Sequence, residues 1–181
     1  MNYRKEKLVS KNLVIFYSRA GLNYVSGEVR YIDRGNTEVA VDFILNVIDA
    51  DVFRIETVKE YSTDYYECTE EAKIEKKAAL RPELRNYLAD ISGYDNIFVC
   101  GPCWWSTYPM AVFSQLEKLD WNGKKVYPLM THEGSGLGRS EDDLKKICAG
   151  ADVKPGLAVY GGHVEESQDI IRNWIESSLK E

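Results

Sequence analysis

Residues 12–17 and 96–101 are apolar almost throughout and rich in β-branched and aromatic side chains, the pattern of strands buried on both faces. Three further stretches read as strands: 52–58, which alternates as at a wetter sheet edge, 125–130 and 156–160. Between them the period becomes helical. From Gly35 onward Val39, Phe43, Ile44 and Val47 share one face, with Asn36 or Thr37 placed to cap the first turn and an end near Asp49. A thinner stripe, Tyr66, Ala72, Ile74 and Ala78, predicts a charged helix over 64–79 that stops at Arg81-Pro82. Pro109 opens a helix bearing Val112, Phe113, Leu116 and Leu119, and Ser140-Glu-Asp-Asp143 reads as a capping box for a helix through Cys148. A closing helix over 165–179 would turn Ile170, Ile171, Trp174 and Ile175 inward.

Five strands alternating with helices imply right-handed crossovers and a parallel sheet covered on both faces, with any ligand at the carboxyl ends of the strands. The loops after the first, third and fourth strands all lie at that end, and they are the unusual ones. The first strand runs through Tyr17 into Ser18-Arg-Ala-Gly21 and is completed downstream by Gly35-Asn-Thr37. Hydroxyls and backbone N–H groups at a helix N-terminus suit a dianionic phosphate held without a metal. The third-strand loop, Pro102-Cys-Trp-Trp-Ser-Thr-Tyr-Pro109, offers two adjacent indoles as stacking surface for a flat ring. The fourth is Thr131-His-Glu-Gly-Ser-Gly-Leu-Gly138. A mononucleotide with a planar tricyclic head fits both demands, which makes FMN the candidate cofactor, with one of Trp104 and Trp105 against its ring. Residues 22–34 interrupt the phosphate loop and read either as a solvated excursion or as a flap bringing Asn23 or Tyr24 to the cofactor. The tyrosines between Tyr61 and Tyr66 fit an aromatic interaction patch or plain packing on a helix.

Composition narrows the setting. At 181 residues and 44% hydrophobic the chain is expected to form one domain with a core that needs no staples, residues 1–10 being an N-terminal extension. A net charge of -6 argues against nucleic acid or an anionic membrane as partner, since both reward a basic face. No 18-residue apolar run and no signal-peptide pattern is visible, so a cytoplasmic location is expected. Cys68, Cys100, Cys103 and Cys148 are too scattered for a disulfide framework and are expected to be reduced.

With these loops in hand the sequence resembles the flavodoxin family, and among it the bacterial flavodoxin-like proteins whose phosphate loop is interrupted before Gly-Asn-Thr. The likeness rests on Ser18 with Gly35-Asn36-Thr37, on Pro102-x-Trp104-Trp105-x-Thr107-x-Pro109 and on Thr131-His132-Glu133-Gly134-Ser135-Gly136, in that order. It implies a flavodoxin-like doubly wound α/β fold, a five-stranded parallel sheet in the order 2-1-3-4-5 with helices on both faces. It implies a site in which Ser18, Asn36 and Thr37 hold the FMN phosphate, with Ala20 and Asn23 nearby. Pro102, Trp104, Trp105, Ser106 and Thr107 would wrap the ring edge, and Thr131, Glu133 and Gly134 would close the other side. The activity implied is electron transfer to or from a redox partner protein or a small-molecule acceptor, the flavin carrying the electrons and the protein setting placement and field. An acidic surround would disfavour adding negative charge to the ring. The alternative within flavin chemistry is an NAD(P)H-dependent FMN reductase of quinones or similar small acceptors.

Other motifs compete. Cys100-Gly-Pro-Cys103 matches a thioredoxin dithiol, so a dithiol oxidoreductase is a second alternative, although Cys100 ends a buried strand and the following helix opens only at Pro109. Gly134-Ser-Gly-Leu-Gly138 lacks the full dinucleotide fingerprint, and Ser135 lacks the flanking glycines of a nucleophile elbow. His132 and His163 are too far apart in sequence to suggest a metal cluster; His132 reads as a loop histidine bonded to backbone, or as a proton donor near the ring.

Overall fold

The computed structural model describes residues 11–180, so the expected N-terminal extension over 1–10 lies outside the described residues. In chain order the elements are β1 (Asn12–Phe16), β2 (Gly21–Val25), β3 (Glu28–Ile32), α1 (Asn36–Leu45), β4 (Asp51–Arg54), α2 (Tyr65–Lys77) and β5 (Asn96–Pro102). They continue with α3 (Met110–Leu116), β6 (Lys125–His132), α4 (Ser140–Ile147), β7 (Asp152–Val153), β8 (Leu157–Tyr160), a 3₁₀ turn over Gly161–Glu166 and α5 (Gln168–Ser178).

The central sheet runs β4-β1-β5-β6-β7, with β8 also paired to β6, and every pairing in it is parallel. Counted along the five strands expected from sequence, this is the order 2-1-3-4-5. The last strand is broken at Pro155-Gly156, because proline has no N–H to give to a ladder; its two pieces pair with successive parts of β6. Continuous burial of β1 and β5 follows from their composition. Leu13, Ile15 and Tyr17 enter one core, with Ile97, Val99 and residues of α3, whereas Val14 and Phe16 enter the other, with Phe98, Cys100 and residues of α1 and α5. A period of two therefore feeds two helical layers.

Four details differ from the pattern-based expectation. The 22–34 insertion is a hairpin, β2 paired antiparallel to β3 around Ser26-Gly27, with both turn residues at positive φ. On α2 the inward residues are Cys68 and Ala72; Tyr66 and Ile74 are exposed, because the shared face is set by positions 65, 68 and 72. Ser140 is not a cap: Arg139 holds the N-cap position, no side chain caps the helix, and Ser140 Oγ is buried without a hydrogen-bond partner. The closing helix begins at Gln168 after the 3₁₀ turn, which rotates Ile170 to solvent while Ile171 and Ile175 stay buried and Trp174 packs edge-on against Phe98. Among the described residues no helix is long and apolar enough to cross a membrane.

Candidate functional site

A cleft of about 510 Å³ opens at the carboxyl ends of β1, β5 and β6. Its polar end lies between β1 and α1. Ser18, buried just beyond β1, places its Oγ 3.1 Å from the Glu38 N–H and accepts from it, so it supplies the first-turn cap that Asn36 or Thr37 was expected to give; the N-cap residue itself is Gly35. Gly35 is required by closeness: a Cβ there would meet Ser18 Oγ and lie 2.7 Å from the Arg19 carbonyl oxygen. Thr37 is buried and shares a 2.7 Å hydrogen bond between its Oγ1 and Thr131 Oγ1, tying α1 to the end of β6. The amides of Asn36 and Thr37, at the start of the helix, have no acceptor within it.

The other end is aromatic. Trp104 is half-buried, its ring 5.4 Å from that of Tyr17 and 5.0 Å from that of Tyr61, both edge-on. Trp105 is 42% exposed. Residues 104–107 form a tight turn, with the Trp104 N–H donating to the Thr107 carbonyl at 2.8 Å, and both central residues sit in the left-handed region, Trp105 at φ 54 and Ser106 at φ 70. Each such residue costs about 1–3 kcal/mol and persists only where its surroundings hold it. Here Trp105 Nε1 donates to the Thr69 carbonyl at 2.9 Å, Lys76 Nζ donates to the Trp105 carbonyl, and the Arg139 N–H donates to the Ser106 carbonyl at 2.7 Å.

Two further walls complete the cleft, one offered by the flap alternative and one not expected from the sequence. The inner face of α2 contributes Tyr65, Cys68, Thr69 and Ala72, at helical spacing but with mixed chemistry that conceals the stripe. The hairpin contributes Asn23, Tyr24 and Ile32, and it is fastened over the cleft at both sides. Tyr24 stacks on Tyr65 with centroids 6.1 Å apart, and the Ser26 N–H donates to Glu133 Oε2 at 2.9 Å. The flap alternative for residues 22–34 thus describes their position; Asn23 itself uses its amide to donate to the Arg19 and Gly21 carbonyls.

Of the thirteen residues expected at the site, ten line this cleft: Ser18, Asn23, Asn36, Thr37, Pro102, Trp104, Trp105, Ser106, Thr131 and Glu133. Three stand outside its wall. Ala20 borders a second cavity on the far side of Ser18 and Arg19. Thr107 is buried and donates through Oγ1 to Asp143 Oδ2 at 2.7 Å, holding the aromatic turn from behind. Gly134, at φ 131, forms the turn in which its N–H donates to His132 Nδ1 at 2.9 Å.

The electrostatics differ from what an acidic chain suggests. The cleft wall carries one carboxylate, Glu133, and one guanidinium, Arg19, while Lys73 Nζ lies 5.2 Å from the Trp105 ring centroid. Burial pushes the Cys100 thiol far up, and Cys103 is raised for the same reason. Cys100 points into the core beneath α1 and α5, whereas Cys103 packs against the core on the opposite face of the sheet, and α3 starts at Met110. The low-pKa thiolate that dithiol chemistry needs has no support in this arrangement. Burial also raises Cys68, which faces the cleft, to about 11. His132 is held below the ordinary imidazole value by desolvation. No group of side chains able to hold a metal ion is present among the described residues.

Comparison with solved structures places this architecture. A Bacteroides uniformis protein assigned as a flavoprotein matches at TM-score 0.72 with 23% identity, covering 92% of this chain and 98% of its own. A Lactobacillus acidophilus flavoprotein solved in complex with FMN matches at TM-score 0.61 with 17% identity, covering 87% and 98%. Oxidised flavodoxin 2 from Bacillus cereus matches at TM-score 0.50 with 18% identity, covering 93% and 99%. No curated protein matches the chain in sequence. The flavodoxin family model matches residues 28–178, and the chain accordingly belongs to the flavodoxin family.

Proposed function

We propose that this chain binds FMN in the cleft and acts as a flavin-dependent electron-transfer protein. One observation carries the reading: loops far apart in sequence, at Ser18, Asn36, Trp104 and Thr131, line a single cleft whose two ends differ as a phosphate differs from an isoalloxazine ring. The polar end offers a hydroxyl, a side-chain amide and free first-turn amides at the start of α1, beside the close approach that only Gly35 allows. The donor set is neutral apart from Arg19, as suits a phosphate held without a metal. That the Lactobacillus acidophilus relative of the same fold was solved with FMN supports the choice of ligand.

FMN, when bound, would supply one- and two-electron redox chemistry. The chain's own residues supply the rest. Ser18, Asn36 and Thr37 would hold the phosphate at the N-terminus of α1, and Trp104, Trp105 and Tyr65 would flank the ring and exclude water from it. The strained turn at 105–106 borders the cleft and would help to hold the ring there. We further propose a cytoplasmic, single-domain protein whose exchange partner is a redox protein or a small acceptor.

A specific feature favours the second reading, an NAD(P)H-dependent reductase. The hairpin overhangs the cleft and is fastened by Tyr24 and Ser26, so the site is roofed where a simple carrier needs an open ring edge. Titration of the protein with FMN, followed by quenching of flavin fluorescence and by the visible flavin bands, tests the first proposal; a protein that leaves FMN fluorescence unchanged at micromolar concentration overturns it. Stopped-flow mixing of the FMN-loaded protein with NADH and NADPH separates the two activities, fast direct reduction indicating the reductase.

A further inference from the structure

The hairpin over the cleft is made fast at its base and only lightly at its tip. Both legs are tied by arginines. Arg19 donates to the Leu22 carbonyl and, at 2.8 and 3.3 Å, to the Ser62 and Thr63 carbonyls ahead of α2, while Arg34, just after β3, pairs with Asp42 of α1. The Asn23 amide adds bonds to the Arg19 and Gly21 carbonyls. Farther out, Tyr24 stacks on Tyr65 but stays exposed, and Val25 is the one buried side chain on the two strands. At the tip, among the described residues, one hydrogen bond reaches the rest of the protein: the Ser26 N–H donates to Glu133 Oε2 at 2.9 Å.

That catch is a poor one. The other carboxylate oxygen, Glu133 Oε1, is buried and accepts no hydrogen bond. It is shut in by the turn after β8: a Cβ on Gly161 would lie 2.7 Å from it and would collide with the Asn36 amide. A Cβ on Gly162 would collide with the Ser26 hydroxyl, so the tip settles onto this turn because both residues are glycine. The neighbouring Tyr160 phenol is held above its ordinary value by the same carboxylate, yet it stays exposed. A carboxylate with one oxygen stripped of water and given no donor loses more by closing than a neutral group would. Lifting the tip returns both oxygens to water. Closure is therefore opposed at the residue that fastens it.

We propose that the hairpin is a strap anchored at its base and that Glu133 is its self-limiting catch, holding the tip down loosely enough for the ligand to enter and leave beneath it. The gating role rests on the FMN reading above; the catch does not, and it can be tested without a flavin. Substitution at 133 should then act in two directions. Glu133→Gln keeps a carbonyl for the Ser26 N–H, sheds the charge and should hold the tip more firmly. Glu133→Ala removes the acceptor and should free it. A catch that simply stabilised the closed form would be weakened by both.

The first test is amide exchange at Ser26, followed by NMR without ligand. Relative to the wild type, Glu133→Gln should slow it at least about fivefold, the change expected of the smallest usual penalty for a buried unpaired group, and Glu133→Ala should speed it. Faster exchange in both variants overturns the catch. Should Glu133→Ala fail to fold by circular dichroism, Glu133→Gln decides alone, and exchange no slower than in the wild type counts against the proposal. The second test locks the tip. A Cβ at position 162 would lie 3.3 Å from that of Ser26, close to disulfide spacing, so Ser26→Cys with Gly162→Cys should cross-link on oxidation. Stopped-flow quenching of FMN fluorescence should then be at least about tenfold slower in the oxidised double variant than after reduction. Equal rates overturn the gate, as does failure to cross-link, since the tip then does not sit on the turn. A wild type that never quenches FMN refutes the FMN reading and the gate with it, and the exchange result at Ser26 still decides the catch.

Discussion

The two ends of the cleft are held by different means. At the polar end Ser18, Thr37 and Thr131 are 9%, 1% and 3% exposed, and each hydroxyl is engaged with a partner on another element. At the aromatic end Tyr66, Trp105 and Tyr24 are 67%, 42% and 41% exposed, and the turn bearing Trp105 is strained at two successive residues. The first is part of the fold: it cannot move without disturbing the junction of β1, α1 and β6. The second is held in its conformation by hydrogen bonds from α2 and from the 131–139 segment. Damage to the polar end should therefore cost stability and affinity together, while the aromatic end should yield at smaller cost.

The sharpest way to break this contrast is a methyl group at each end. At Gly35, whose φ of -67 suits any residue, the only obstacle to alanine is space, and the obstructing atoms include the Arg19 backbone at 2.7 and 2.9 Å. Overpacking of this kind costs about 1–3 kcal/mol, and here it would spread Ser18 away from α1. Gly35→Ala should lower the thermal midpoint and weaken FMN by at least about tenfold, a loss of roughly 1.4 kcal/mol. At Gly138 a Cβ would also collide, with the Ser106 backbone at 2.8 and 3.0 Å, and the residue sits at φ 54. Gly138→Ala should reduce stability too, but shift the exposed turn at 105–106 and so cost less FMN affinity. Equal affinity losses in the two variants would erase the distinction.

What was legible in the sequence follows the same divide. Runs such as Leu13 to Tyr17 declare themselves because both faces of the strand meet a core, so every position is apolar. Together with the three loop motifs, which carried the strand order by resemblance, they brought ten of the thirteen expected residues to one cleft. What stayed hidden has few core contacts or distant partners. The hairpin alternates weakly, and of the side chains on its two strands Val25 is the buried one, so its pattern resembles a polar loop. The inner face of α2 has helical spacing, but Tyr65, Cys68, Thr69 and Ala72 share no chemistry to mark it. The cap of α1 comes from Ser18, twenty residues before the amide it accepts from, where a local capping rule cannot look. Thr107 belongs to a recognised motif yet faces Asp143, because motif membership does not say which residues support the turn from behind.

A middle-sized effect tests whether the polar end is as tightly satisfied as it looks. Thr37 and Thr131 exchange one hydrogen bond in a buried setting, so Thr37→Val should leave the Thr131 hydroxyl without its partner and destabilise by about 1–3 kcal/mol. Thr37→Val with Thr131→Val removes both polar atoms and should recover much of that loss in urea unfolding. A double variant as unstable as the sum of the singles would mean that each hydroxyl has other duties.

The smallest expected effect joins the two ends through His132. Its Nδ1 accepts from the Gly134 N–H at 2.9 Å, which requires the neutral ring with its proton on Nε2. Desolvation lowers the folded-state pKa, and the neighbouring Glu133 opposes that shift without reversing it; the Tyr160 ring, 5.9 Å away, contributes no charge of its own at neutral pH. Because the folded value lies below the unfolded one, the stability contributed by neutral His132 is complete above the ordinary pKa of about 6.5 and declines as pH falls through the folded value. Protonation turns Nδ1 into a donor facing another donor, so the 132–134 turn should open first, loosening Glu133 and with it the Ser26 contact that fastens the hairpin. Amide exchange at Gly134 and Ser26 should accelerate on acidification in the wild type and lose that step in His132→Gln. If both proteins show the same pH profile, the turn is held by something other than the neutral imidazole, and the link between the hairpin and the β6 loop does not run through this ring.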